Sequence, residues 1–495
     1  MNQQQLAETI IARAEAETQG WQMTIDGAFY RPAGAPSMTS INPNDGSPLA
    51  SVYLADADVV AMAVAAGKKA YPAWRRLHVD ERAKMMKQLA AAVRARAEEF
   101  GMLDCLDSGN PYQSMVDDAN KGAGLLEHFS NLGMEIKGQT IPTPGGGLNY
   151  TRREPFGVVA RILPFNHPIS FAVGKIASAL IAGNTVVLKL ADQTPLSGLL
   201  FGKLIQEHLP AGVVNVISGD GMTTGASLVA HPDIHRIAFT GSVATGQKIM
   251  QQAGIAACSL ELGGKNPLIV FPDVDVEAAA DAAVAGMNFT RCQGQSCGSN
   301  SRVFVHRSIH AEFMQHVLAR VAKIRIGLSH VAGTDMGPVV SKAHYEKVMS
   351  YIHSAISEGA KLVAGGRHPQ APELAQGYFI EATIFDEVTQ DMTIAQEEIF
   401  GPVMSVLIWD DEEAMLRDAN ATEYGLTANI WTNDISRALR LADDIESGYV
   451  WINGHGGKRF KGAPFGGIKN SGIGREHATD EILSFTQEKN INVRF

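Results

Sequence analysis

VVARILPFNHPISFAVGKIASALIAGNTVVLKL, residues 158–190, decides the fold class because it has the pattern strand, helix, strand. VVARILP and NTVVLKL are short apolar runs, and ISFAVGKIASALIAG between them has the length of a helix. The alternation continues through a helical segment at 196–209 and strand-like runs at 213–219 and 235–241. Strands separated by helices predict a parallel sheet with covered faces, whose ligands lie at the carboxyl ends of the strands.

Apolar runs in the C-terminal half predict a second α/β domain. These runs are LIVFPD (268–273), SRVFVH (301–306), FIEATIF (379–385) and VMSVLIW (403–409). Residues 55–75 and 80–104 have the apolar spacing of scaffold helices. Two β-like runs around a triple-glycine turn at 139–162 predict a projecting hairpin. Residues 482–495 have strand composition, and an end strand of this kind needs a partner along its edge.

Size and charge favour an enzyme or binding protein that acts on small molecules. A chain of 495 residues predicts two to four domain-like units, and 45% hydrophobic with 19% charged residues is a globular composition. The net charge of −10, with both signs interspersed, argues against a nucleic-acid partner, because phosphate binding needs a basic surface. We therefore expect no nucleic acid among its partners.

We expect no membrane partner and a cytoplasmic location. Residues 1–20 show no basic segment followed by an apolar run and a small-residue cleavage site. The most apolar stretch, 171–191, is interrupted by Lys175, Gly183 and Asn184, which a membrane span tolerates poorly. Four cysteines in a reducing compartment do not form a disulfide framework.

Two glycine-containing strand ends are candidate phosphate sites. FTGSVATG (239–246) places Gly241, Ser242 and Gly246 where a strand turns into a helix, so that backbone amides could hold a diphosphate. GDGMTTG (219–225) is closer to the dinucleotide fingerprint. Each motif alone is weak evidence, because glycines between elements are more often simple turns.

A third strand end, KLAD, offers Lys189 and Asp192. A carboxylate there could accept hydrogen bonds from ribose hydroxyls, and a lysine could donate to them. The alternative interpretation is a solvated charge pair.

Two stretches carry groups suited to catalysis. In LELGGKNP (260–267), Glu261 lies between apolar residues, and partial burial raises a carboxyl pKa towards the range of a general base. In PFNHP (164–168), Asn166 stands near two prolines as a rigid amide that could stabilise an oxyanion. The alternatives are an ion pair between Glu261 and Lys265 and a helix-capping role for Asn166.

FTRCQGQSCGSNSR (289–302) contains Cys292 and Cys297, which taken alone could be a nucleophile, a metal clip, a disulfide pair or two buried thiols. The disulfide is disfavoured by the low cysteine content. His231 and His235 are four residues apart, as zinc ligands on a helix are, but no third ligand is near them in the sequence, so we expect surface histidines and no metal.

Taken together, a set of motifs resembles the aldehyde dehydrogenase superfamily, in that family's order and from about residue 40 to the C-terminus. The motifs are PFN, KLADQTP, FTGS, LELGGK, GQSC, EEIFGPV (397–403), WIN (451–453) and PFGGIKNSGIGRE (464–476). The resemblance implies an α/β aldehyde dehydrogenase-like fold in three parts. These parts are a Rossmann-type coenzyme domain (1–135 and 157–262), an α/β catalytic domain (263–470) and a β oligomerisation flap (136–156 and 480–495). The flap and the terminal strand favour a homodimer or a homotetramer.

The resemblance also implies roles for individual residues. Cys297 matches the nucleophile, Asn166 with the Cys297 N–H matches the oxyanion site, and Glu261 matches the base that activates water. A glutamate there favours hydrolysis over transfer to coenzyme A. Positions that match dinucleotide-binding residues are Phe165, Lys189, Asp192, Gly225, Gly241, Ser242, Leu262, Glu398 and Phe400. Asp192 stands where the family usually has Glu, so the resemblance favours NAD and leaves NADP possible.

Departures from the family pattern bear on the substrate. Thr290 stands where the family usually has an apolar or aromatic residue, Arg291 falls where relatives often place an aromatic wall, and the loop 454–462 is unusually basic. Gly174 replaces what is often a bulky residue, which predicts a wider funnel.

Our hypothesis is an aldehyde with a polar or anionic distal group, such as a carboxylated semialdehyde held by Arg291 beside His167. The alternative for Arg291 is an ion pair with a surface carboxylate. The alternative substrate is a broad or aromatic aldehyde, with Phe171, Phe460 and Phe465 as walls. A cysteine hydrolase and a non-catalytic scaffold are the competing classes, disfavoured by the combined motifs.

Overall fold

A computed structural model of the chain describes residues 2–16, 21–31, 34, 36–456 and 459–495. Parts of two sequence-based predictions fall on other residues. Residues 1 and 17–20 of the N-terminal segment lie outside the described residues, as do residues 457 and 458 of the basic loop.

The first large sheet is built around five parallel strands, which confirms the predicted fold class. Its order from edge to edge, over the described residues, is Ala28–Tyr30, Met23–Ile25, Val214–Ile217, Thr185–Lys189, Val158–Ile162, Ile234–Thr240, Ala257–Glu261 and Gly472–Ile473. The middle five are parallel, and the others are antiparallel to their neighbours. The order of these five reverses between Val158–Ile162 and Ile234–Thr240, and such a switch point opens a crevice at the carboxyl ends of the strands.

Helices cover both faces of this sheet, and apolar side chains fill the two interfaces. The helices of this part are Gln3–Ala16, Ala57–Trp74, Val79–Ala95, Ala97–Ser108, Tyr112–Asn131, Pro168–Gly174, Ala177–Ile181, Leu196–His208, the π-helical Gly221–Gly225, Ala226–Val229 and Val243–Gln252. Several begin at a side chain that accepts a backbone N–H, as Asp56 does from Val59 at 2.9 Å.

Two predicted helices are wrong in extent. Residues 80–104 were expected to form one helix, but Arg96, with φ −118° and ψ 20°, separates Val79–Ala95 from Ala97–Ser108. Residues 169–183 were expected to form one helix, but the chain leaves helical hydrogen bonding between Gly174 and Ala177. Apolar periodicity did not reveal either break, because residues on both sides are buried.

The second large sheet confirms the α/β prediction for the C-terminal half. Its order over the described residues is Lys361–Ala364, Thr383–Asp386, Val403–Trp409, Arg302–His306, Pro267–Val270, Thr427–Trp431 and Tyr449–Ile452. All neighbours are parallel except the first pair. The accompanying helices are Val276–Gly286, Phe289–Cys292, His310–Val321, Lys342–Ser357, Thr393–Gln396, Glu412–Asn420 and Ile435–Asp444.

Smaller sheets complete the fold. The predicted hairpin forms between Thr140–Ile141 and Leu148–Pro155, with Gly145 and Gly146 at positive φ in its turn. The C-terminal strand Thr486–Val493 pairs with Leu148–Pro155 along its full length. Other short elements are Ser37–Ile41 with Pro48–Tyr53, Tyr424–Gly425 with Ile468–Lys469, the helix Thr479–Ser484, and the 3₁₀ turns Gly133–Glu135, Arg307–Ile309 and Pro372–Leu374. The boundaries of the coenzyme, catalytic and flap parts remain a prediction.

The connection between the two large sheets positions the candidate site. Strand Ala257–Glu261 ends the first sheet's parallel series, and residues 262–266 lead directly into Pro267–Val270 of the second. The carboxyl ends of the first sheet therefore face the segments that precede the second sheet's strands. Among the described residues, no helix is long and apolar enough to cross a membrane.

Candidate active site

Cys297 lies in the loop between helix Phe289–Cys292 and strand Arg302–His306. The side chain of Asn266 holds this loop, because its Nδ2 donates to the carbonyls of Cys297 at 2.7 Å and Ser299 at 2.8 Å. Its Oδ1 accepts the Thr427 N–H at 3.0 Å. A Cβ on Gly264 would lie 2.3 Å from the Cys297 carbonyl oxygen, so only glycine lets the two segments approach this closely.

The environment distinguishes the two cysteines of this segment. Cys297 is half-buried, whereas Cys292 is fully buried. Burial raises the pKa of the Cys297 thiol to about 11, and the positive charge of Arg459 opposes that shift. Burial raises the pKa of Cys292 to about 12. Within the described residues, the backbone N–H of Cys297 donates no hydrogen bond, so it is available to a ligand.

Asn166 is a buried amide that contacts the cysteine loop. Its Nδ2 donates to the Gln295 carbonyl at 2.9 Å, two residues before Cys297, and its own carbonyl accepts from Asn110 Nδ2 at 2.9 Å. Its Oδ1 has no partner among the described residues, so it does not cap the helix Pro168–Gly174. One hydrogen of the Nδ2 group remains to donate to a bound oxygen.

Glu261 ends its strand with a buried carboxylate, and neither oxygen has a partner among the described residues. Burial, reinforced by the charge of Glu476, raises its pKa well above the usual range. A Cβ on Gly466 would lie 2.9 Å from Glu261 Oε1, so the glycine pair of PFGG leaves room for the carboxylate. The alternative ion pair with Lys265 does not form, because the Lys265 amine is buried without a partner within the same described part of the chain.

A buried network of charges lies behind Glu261. Lys175 Nζ contacts the two carboxylate oxygens of Glu476 at 2.6 and 2.8 Å, and Arg161 Nη2 lies 2.9 Å from Glu481 Oε1. Against the effect of burial, Lys175 and Arg161 hold the pKa of Glu476 well below its usual range. Glu476 is therefore the ionised neighbour that makes ionisation of Glu261 costly.

Lys189 and Asp192 lie at the carboxyl end of the strand Thr185–Lys189. Lys189 is buried, with 4% of its surface exposed, which contradicts the alternative of a solvated charge pair. Burial lowers the pKa of Lys189, and the charge of Asp192 opposes that shift. A buried amine near a half-exposed carboxylate suits a ligand that carries hydroxyl groups.

The predicted phosphate residues lie around the switch point of the first sheet. Ser242 caps the helix Val243–Gln252, because its Oγ accepts the Thr245 N–H at 3.2 Å, and it is exposed. Gly241 N–H donates to the Glu261 carbonyl at 3.1 Å. A Cβ on Gly246 would lie 2.8 Å from the Leu262 side chain, so this glycine lets the helix start stay close to residue 262.

Gly225 lies apart from these residues, at the end of the π-helical turn Gly221–Gly225. It is buried, and its N–H donates to the Asp220 carbonyl at 3.0 Å.

A third group of predicted coenzyme-binding residues consists of Glu398 and the two aromatic residues Phe165 and Phe400. Phe165 and Phe400 contact edge to face with ring centroids 5.6 Å apart, and His344 packs against both. Phe400 has a positive φ of 59°, and its carbonyl lies 2.7 Å from His344 Nε2. Glu398 Oε1 accepts the Gly264 N–H at 3.0 Å, so this group meets the cysteine loop through residues 263 and 264.

Arg291 lies in a cluster of charged side chains that reaches His167, the residue after Asn166. Its Nη2 contacts Asp118 Oδ1 at 2.6 Å, and Asp118 Oδ2 meets Nδ1 of His167. Although burial opposes it, contacts with His167 and Arg291 hold the pKa of Asp118 well below its usual range. The alternative interpretation of Arg291 was an ion pair with a surface carboxylate. Arg291 does form an ion pair, but its partner Asp118 is fully buried, so the surface location is wrong.

Lys121 and Arg459 add positive charge to the same cluster. Lys121 is exposed to solvent, yet desolvation in its crowded surroundings and the charge of Arg291 lower its pKa to about 8. Arg459 lies over the ring of Phe465, 3.5 Å from its centroid. Its Nη2 would be 3.2 Å from a Cβ on Gly298, the residue after Cys297. Arg459 therefore links the cation cluster to the cysteine.

The predicted aromatic walls are placed differently from one another. Phe171 contacts His167 edge to face with centroids 5.7 Å apart. Phe465 is buried beneath Arg459 and stacks on His477, whereas 64% of Phe460 is exposed. The prediction of a wider funnel at Gly174 is wrong, because the side chain of Leu125 occupies the space, 2.6 Å from the position of a Cβ.

Several of these residues were missed in the sequence. Asp118 and Lys121 lie on the helix Tyr112–Asn131, and their spacing of three, on one helical face, was the available signal. Arg459 was included only as part of a basic loop. Lys175 was noted only as an interruption of an apolar stretch, and Glu476 only as the last residue of a motif. Among the described residues, no group of three or more potential metal ligands is present.

Two comparisons of the sequence with known proteins give the same family. The sequence profile of the aldehyde dehydrogenase family matches residues 29–491. The aldehyde dehydrogenase tropH of Talaromyces stipitatus is 43% identical over 477 residues, which cover 94% of this chain and 92% of that protein.

Solved structures agree as well. An NAD⁺ complex of an aldehyde dehydrogenase from Bacillus cereus superposes with a TM-score of 0.93 at 39% identity, over 98% of each chain. A betaine aldehyde dehydrogenase from Staphylococcus aureus in complex with NAD⁺ superposes with a TM-score of 0.94 at 32% identity, over 99% of this chain and 97% of that one.

Proposed function

The chain belongs to the aldehyde dehydrogenase family, and on that basis we propose that it oxidises an aldehyde to a carboxylic acid with NAD as the hydride acceptor. The observation that carries the proposal is the placement of three groups near the junction of the sheets, where Asn166 is bonded to Gln295, two residues before Cys297, and the charge of Glu261 acts on Cys297. These groups are the half-buried thiol of Cys297, the amide of Asn166 and the carboxylate of Glu261. The Glu261 carboxylate has no hydrogen-bond partner among the described residues.

The first half of the reaction is carried by Cys297 and Asn166. The Cys297 sulfur attacks the aldehyde carbon, and the oxygen that becomes negative lies between the remaining hydrogen of Asn166 Nδ2 and the Cys297 N–H. Because burial raises the pKa of Cys297, the thiol must give its proton to a water molecule as it attacks, and the nearby Arg459 stabilises the thiolate. When bound, the nicotinamide ring supplies the acceptor for the hydride that leaves the substrate carbon. The product of this half-reaction is a thioester on Cys297.

The second half-reaction is hydrolysis, with Glu261 as the base. A buried carboxylate with a raised pKa takes a proton from water more readily than an exposed one. The activated water attacks the thioester, the C–S bond breaks, and the carboxylic acid leaves. A base at this position makes coenzyme A unnecessary as an acyl acceptor.

Residues at the carboxyl ends of the first sheet fit a dinucleotide. Ser242 and the start of the ten-residue helix Val243–Gln252 would hold the diphosphate, as helix N-termini do. Lys189 and Asp192 would hold the adenosine ribose, and Asp192 would repel a 2′-phosphate, which favours NAD over NADP.

The glycines of the π-helical turn would leave room for the adenosine. A Cβ on Gly221 would meet no other atom within 4 Å, and a Cβ on Gly225 would meet only the Asp220 carbonyl oxygen, at 3.6 Å. The space beside this turn is therefore open to a ligand, and a bulky side chain at residue 225 would fill part of it.

The other half of the coenzyme would lie between the two large sheets. Glu398 would accept hydrogen bonds from the nicotinamide ribose, and Phe165 with Phe400 would line the nicotinamide. Leu262 and Gly241 at the switch point would complete this side of the crevice.

For the substrate, the charges favour an aldehyde with a distal carboxylate. Arg291, Lys121 and Arg459 are three cationic side chains near the cysteine, and Asp118 is the carboxylate that pairs with them. Asp118 already has partners on both of its oxygens. The cluster therefore retains unused positive charge, which suits an anionic group and disfavours a purely apolar one.

A broad or aromatic aldehyde is the second candidate. Phe171 beside His167 presents ring surface to this region, whereas Phe465 is buried beneath Arg459 and stacks on His477. An aromatic substrate would stack on Phe171, and Phe460, which is mostly exposed, would contribute little.

The test is a panel of acidic, neutral aliphatic and aromatic aldehydes incubated with NAD, with NADH absorbance as the readout. We expect NADH formation without coenzyme A, and the highest kcat/KM for an acidic aldehyde. NADH formation that requires coenzyme A would contradict the hydrolytic mechanism. A preference for the aromatic members would favour the second candidate.

We also propose a homodimer or homotetramer. The strands Thr140–Ile141, Leu148–Pro155 and Thr486–Val493 form a small sheet with exposed residues, and its edges are open to a second copy. Light scattering of the purified protein measures the number of copies directly.

A further inference from the structure

Helix Ala97–Ser108 carries two buried aspartates one turn apart, and each accepts a backbone N–H at the start of a different helix. Asp104 Oδ2 accepts from Ile169 at 2.9 Å, and Asp107 Oδ2 accepts from Leu196 at 3.1 Å. Ile169 is the second residue of the helix Pro168–Gly174, and Leu196 is the first residue of Leu196–His208. One helix thus holds the beginnings of two others.

Neither of these two helices has a cap of its own. The residues before them, His167 and Pro195, make no capping hydrogen bond with their side chains, and Pro168 has no N–H to offer. The first N–H groups of a helix have no partner within the helix. Asp104 and Asp107 satisfy one such group in each helix, across separations of 65 and 89 residues in the chain.

The loops that precede these helices carry the proposed catalytic and coenzyme residues. Strands Val158–Ile162 and Thr185–Lys189 are parallel neighbours, and Ile162 is paired with Lys189 in their register. The first strand leads into the loop with Asn166, and the second leads into the loop with Asp192. The two loops are also bonded to each other, because Thr194 Oγ1 donates to the Phe165 carbonyl at 3.2 Å.

A further contact holds Asp107 in place. Ser40 Oγ donates to Asp107 Oδ1, so both oxygens of Asp107 are used. Burial raises the pKa of Asp107 to about 7 and the pKa of Asp104 well above its usual range, and the Ser197 hydroxyl opposes the shift of Asp104. Ser197 belongs to the second helix, so Asp104 faces both helix beginnings.

Buried carboxylates are costly unless they make specific hydrogen bonds. Apolar residues at these two positions would pack the helix against its neighbours at less cost, but they would leave both helix beginnings without a partner.

We propose that Asp104 and Asp107 are positioning residues, which fix the Asn166 loop and the Asp192 loop to a single helix and thereby set the oxyanion site relative to the coenzyme. Asp104 acts through Asn166 and Asp107 acts through Asp192. The inference rests on the proposed function, because it assumes that Asn166 serves the oxyanion and Asp192 the ribose.

The two residues should affect different kinetic quantities. Asp104→Ala should lower the rate of Cys297 acylation about tenfold or more, because a small displacement of a catalytic group is costly, and should leave the dissociation constant of NAD within about threefold. Asp107→Ala should raise the dissociation constant of NAD about fivefold, because the helix that follows the Asp192 loop loses its cap. It should leave the acylation rate at saturating NAD within about threefold. A role in stability alone would not produce this opposite pattern.

The conservative variant supplies a rescue. Asp104→Asn matches the shape of Asp104 and retains an oxygen for the Ile169 N–H. We expect Asp104→Asn to keep an acylation rate within about threefold of the unsubstituted enzyme.

Asp386 serves as the control for stability. It is buried and bonded to His310 Nε2 at 2.8 Å in the second sheet, away from both loops. Asp386→Ala should lower the melting temperature without changing either kinetic quantity.

The experiment measures three quantities on the full-length enzyme. These are the NADH burst in a single turnover, NAD binding by titration calorimetry and the melting temperature. If an alanine variant does not fold, Asp104→Glu and Asp107→Glu carry the test in the same readouts, because they keep the carboxylate but move it by one methylene.

The proposal is overturned if both variants change acylation and NAD binding to the same extent, or if they lower only the melting temperature as Asp386→Ala does. Failure of the proposed function has a different signature, because the unsubstituted enzyme would then form no NADH, or Cys297→Ala would remain active. NAD binding to the Asp107 variant can still be measured in that case.

Discussion

The Nη2 atom of Arg291 lies 2.6 Å from Oδ1 of Asp118, a carboxylate that is fully buried. The other carboxylate oxygen of Asp118, Oδ2, contacts His167, the residue directly after the oxyanion candidate Asn166. The ion pair therefore holds Arg291 in one orientation next to the proposed oxyanion site, and a third of the Arg291 side chain remains exposed. A guanidinium fixed in this way has donors left for an anionic ligand.

Arg291→Ala should raise KM for an acidic aldehyde about tenfold to a hundredfold, since charge-assisted hydrogen bonds contribute about 1.5–3 kcal/mol. KM for a neutral aldehyde of the same length should change less than about threefold. Steady-state kinetics on the matched aldehydes checks this. Arg307→Ala is the control, because Arg307 forms an exposed ion pair with Asp410 elsewhere. Equal effects on the two aldehydes would exclude a role for Arg291 in substrate charge recognition.

Lys121 should make binding of an acidic aldehyde dependent on pH. Desolvation and the charge of Arg291 lower its pKa to about 8, so its amine is charged below that pH and neutral above it. KM for an acidic aldehyde should therefore rise as the pH increases through 8, while KM for a neutral aldehyde should not follow. Lys121→Arg should remove the dependence, because arginine stays protonated. A pH profile that Lys121→Arg leaves unchanged would assign the titration to another group.

The sequence predicted the parts of the fold and site that depend on local patterns. Alternation of apolar strands and helices indicated both sheets, and short motifs indicated Cys297, Asn166 and Glu261, because each group stands in a distinctive local run. The break at Arg96 left no such pattern, since apolar periodicity continues on both sides of it.

The charged cluster could not be predicted in the same way. Arg291 and Asp118 are 173 residues apart in the chain, and only the fold brings them together. A single sequence shows which residues are charged, but not which of them are buried as pairs. Gly174 illustrates the same limit, because the space that its missing side chain suggested is filled by Leu125 from a different helix.

Cys297→Ala should abolish NADH formation, whereas Cys292→Ala should retain most of it. Both thiols have a raised pKa, but Cys292 is fully buried and Cys297 is accessible to a ligand. Iodoacetamide should modify the half-buried Cys297 before the fully buried Cys292, and peptide mass spectrometry identifies the labelled residue. Loss of activity in the Cys292 variant without loss of fold would assign a catalytic part to that residue.

Asp192 should set the choice between NAD and NADP. Replacing it with serine removes the charge that would repel a 2′-phosphate, so the ratio of kcat/KM for NAD to that for NADP should fall about tenfold, near the size of one unfavourable charge contact. Asp192→Glu keeps the charge and should preserve or raise the ratio. Initial rates with both coenzymes at one aldehyde concentration measure it. An unchanged ratio in the serine variant would place the discriminating group elsewhere.

Glu261→Gln should separate the two halves of the reaction. Without the base, oxidation of the aldehyde still forms NADH, but the thioester on Cys297 cannot be hydrolysed, so NADH should appear as a burst of about one equivalent per active site followed by a rate at least about a hundredfold lower. Mass spectrometry of the quenched protein should show the acyl group on Cys297.

The role of Glu261 as a base also predicts how the hydrolysis rate of the unsubstituted enzyme changes with pH. Burial raises the pKa of Glu261, so a larger fraction of the carboxyl is protonated at neutral pH than for an exposed glutamate, and only the ionised form accepts a proton from water. Hydrolysis should therefore speed up as the pH rises through that raised pKa, and the slow phase of Glu261→Gln should lack this rise. Lys175→Met offers a second check. It removes the positive charge that pairs with Glu476, and it should shift the pH at which the hydrolysis rate rises. If Glu261→Gln turned over without a burst, water activation would belong to a different residue.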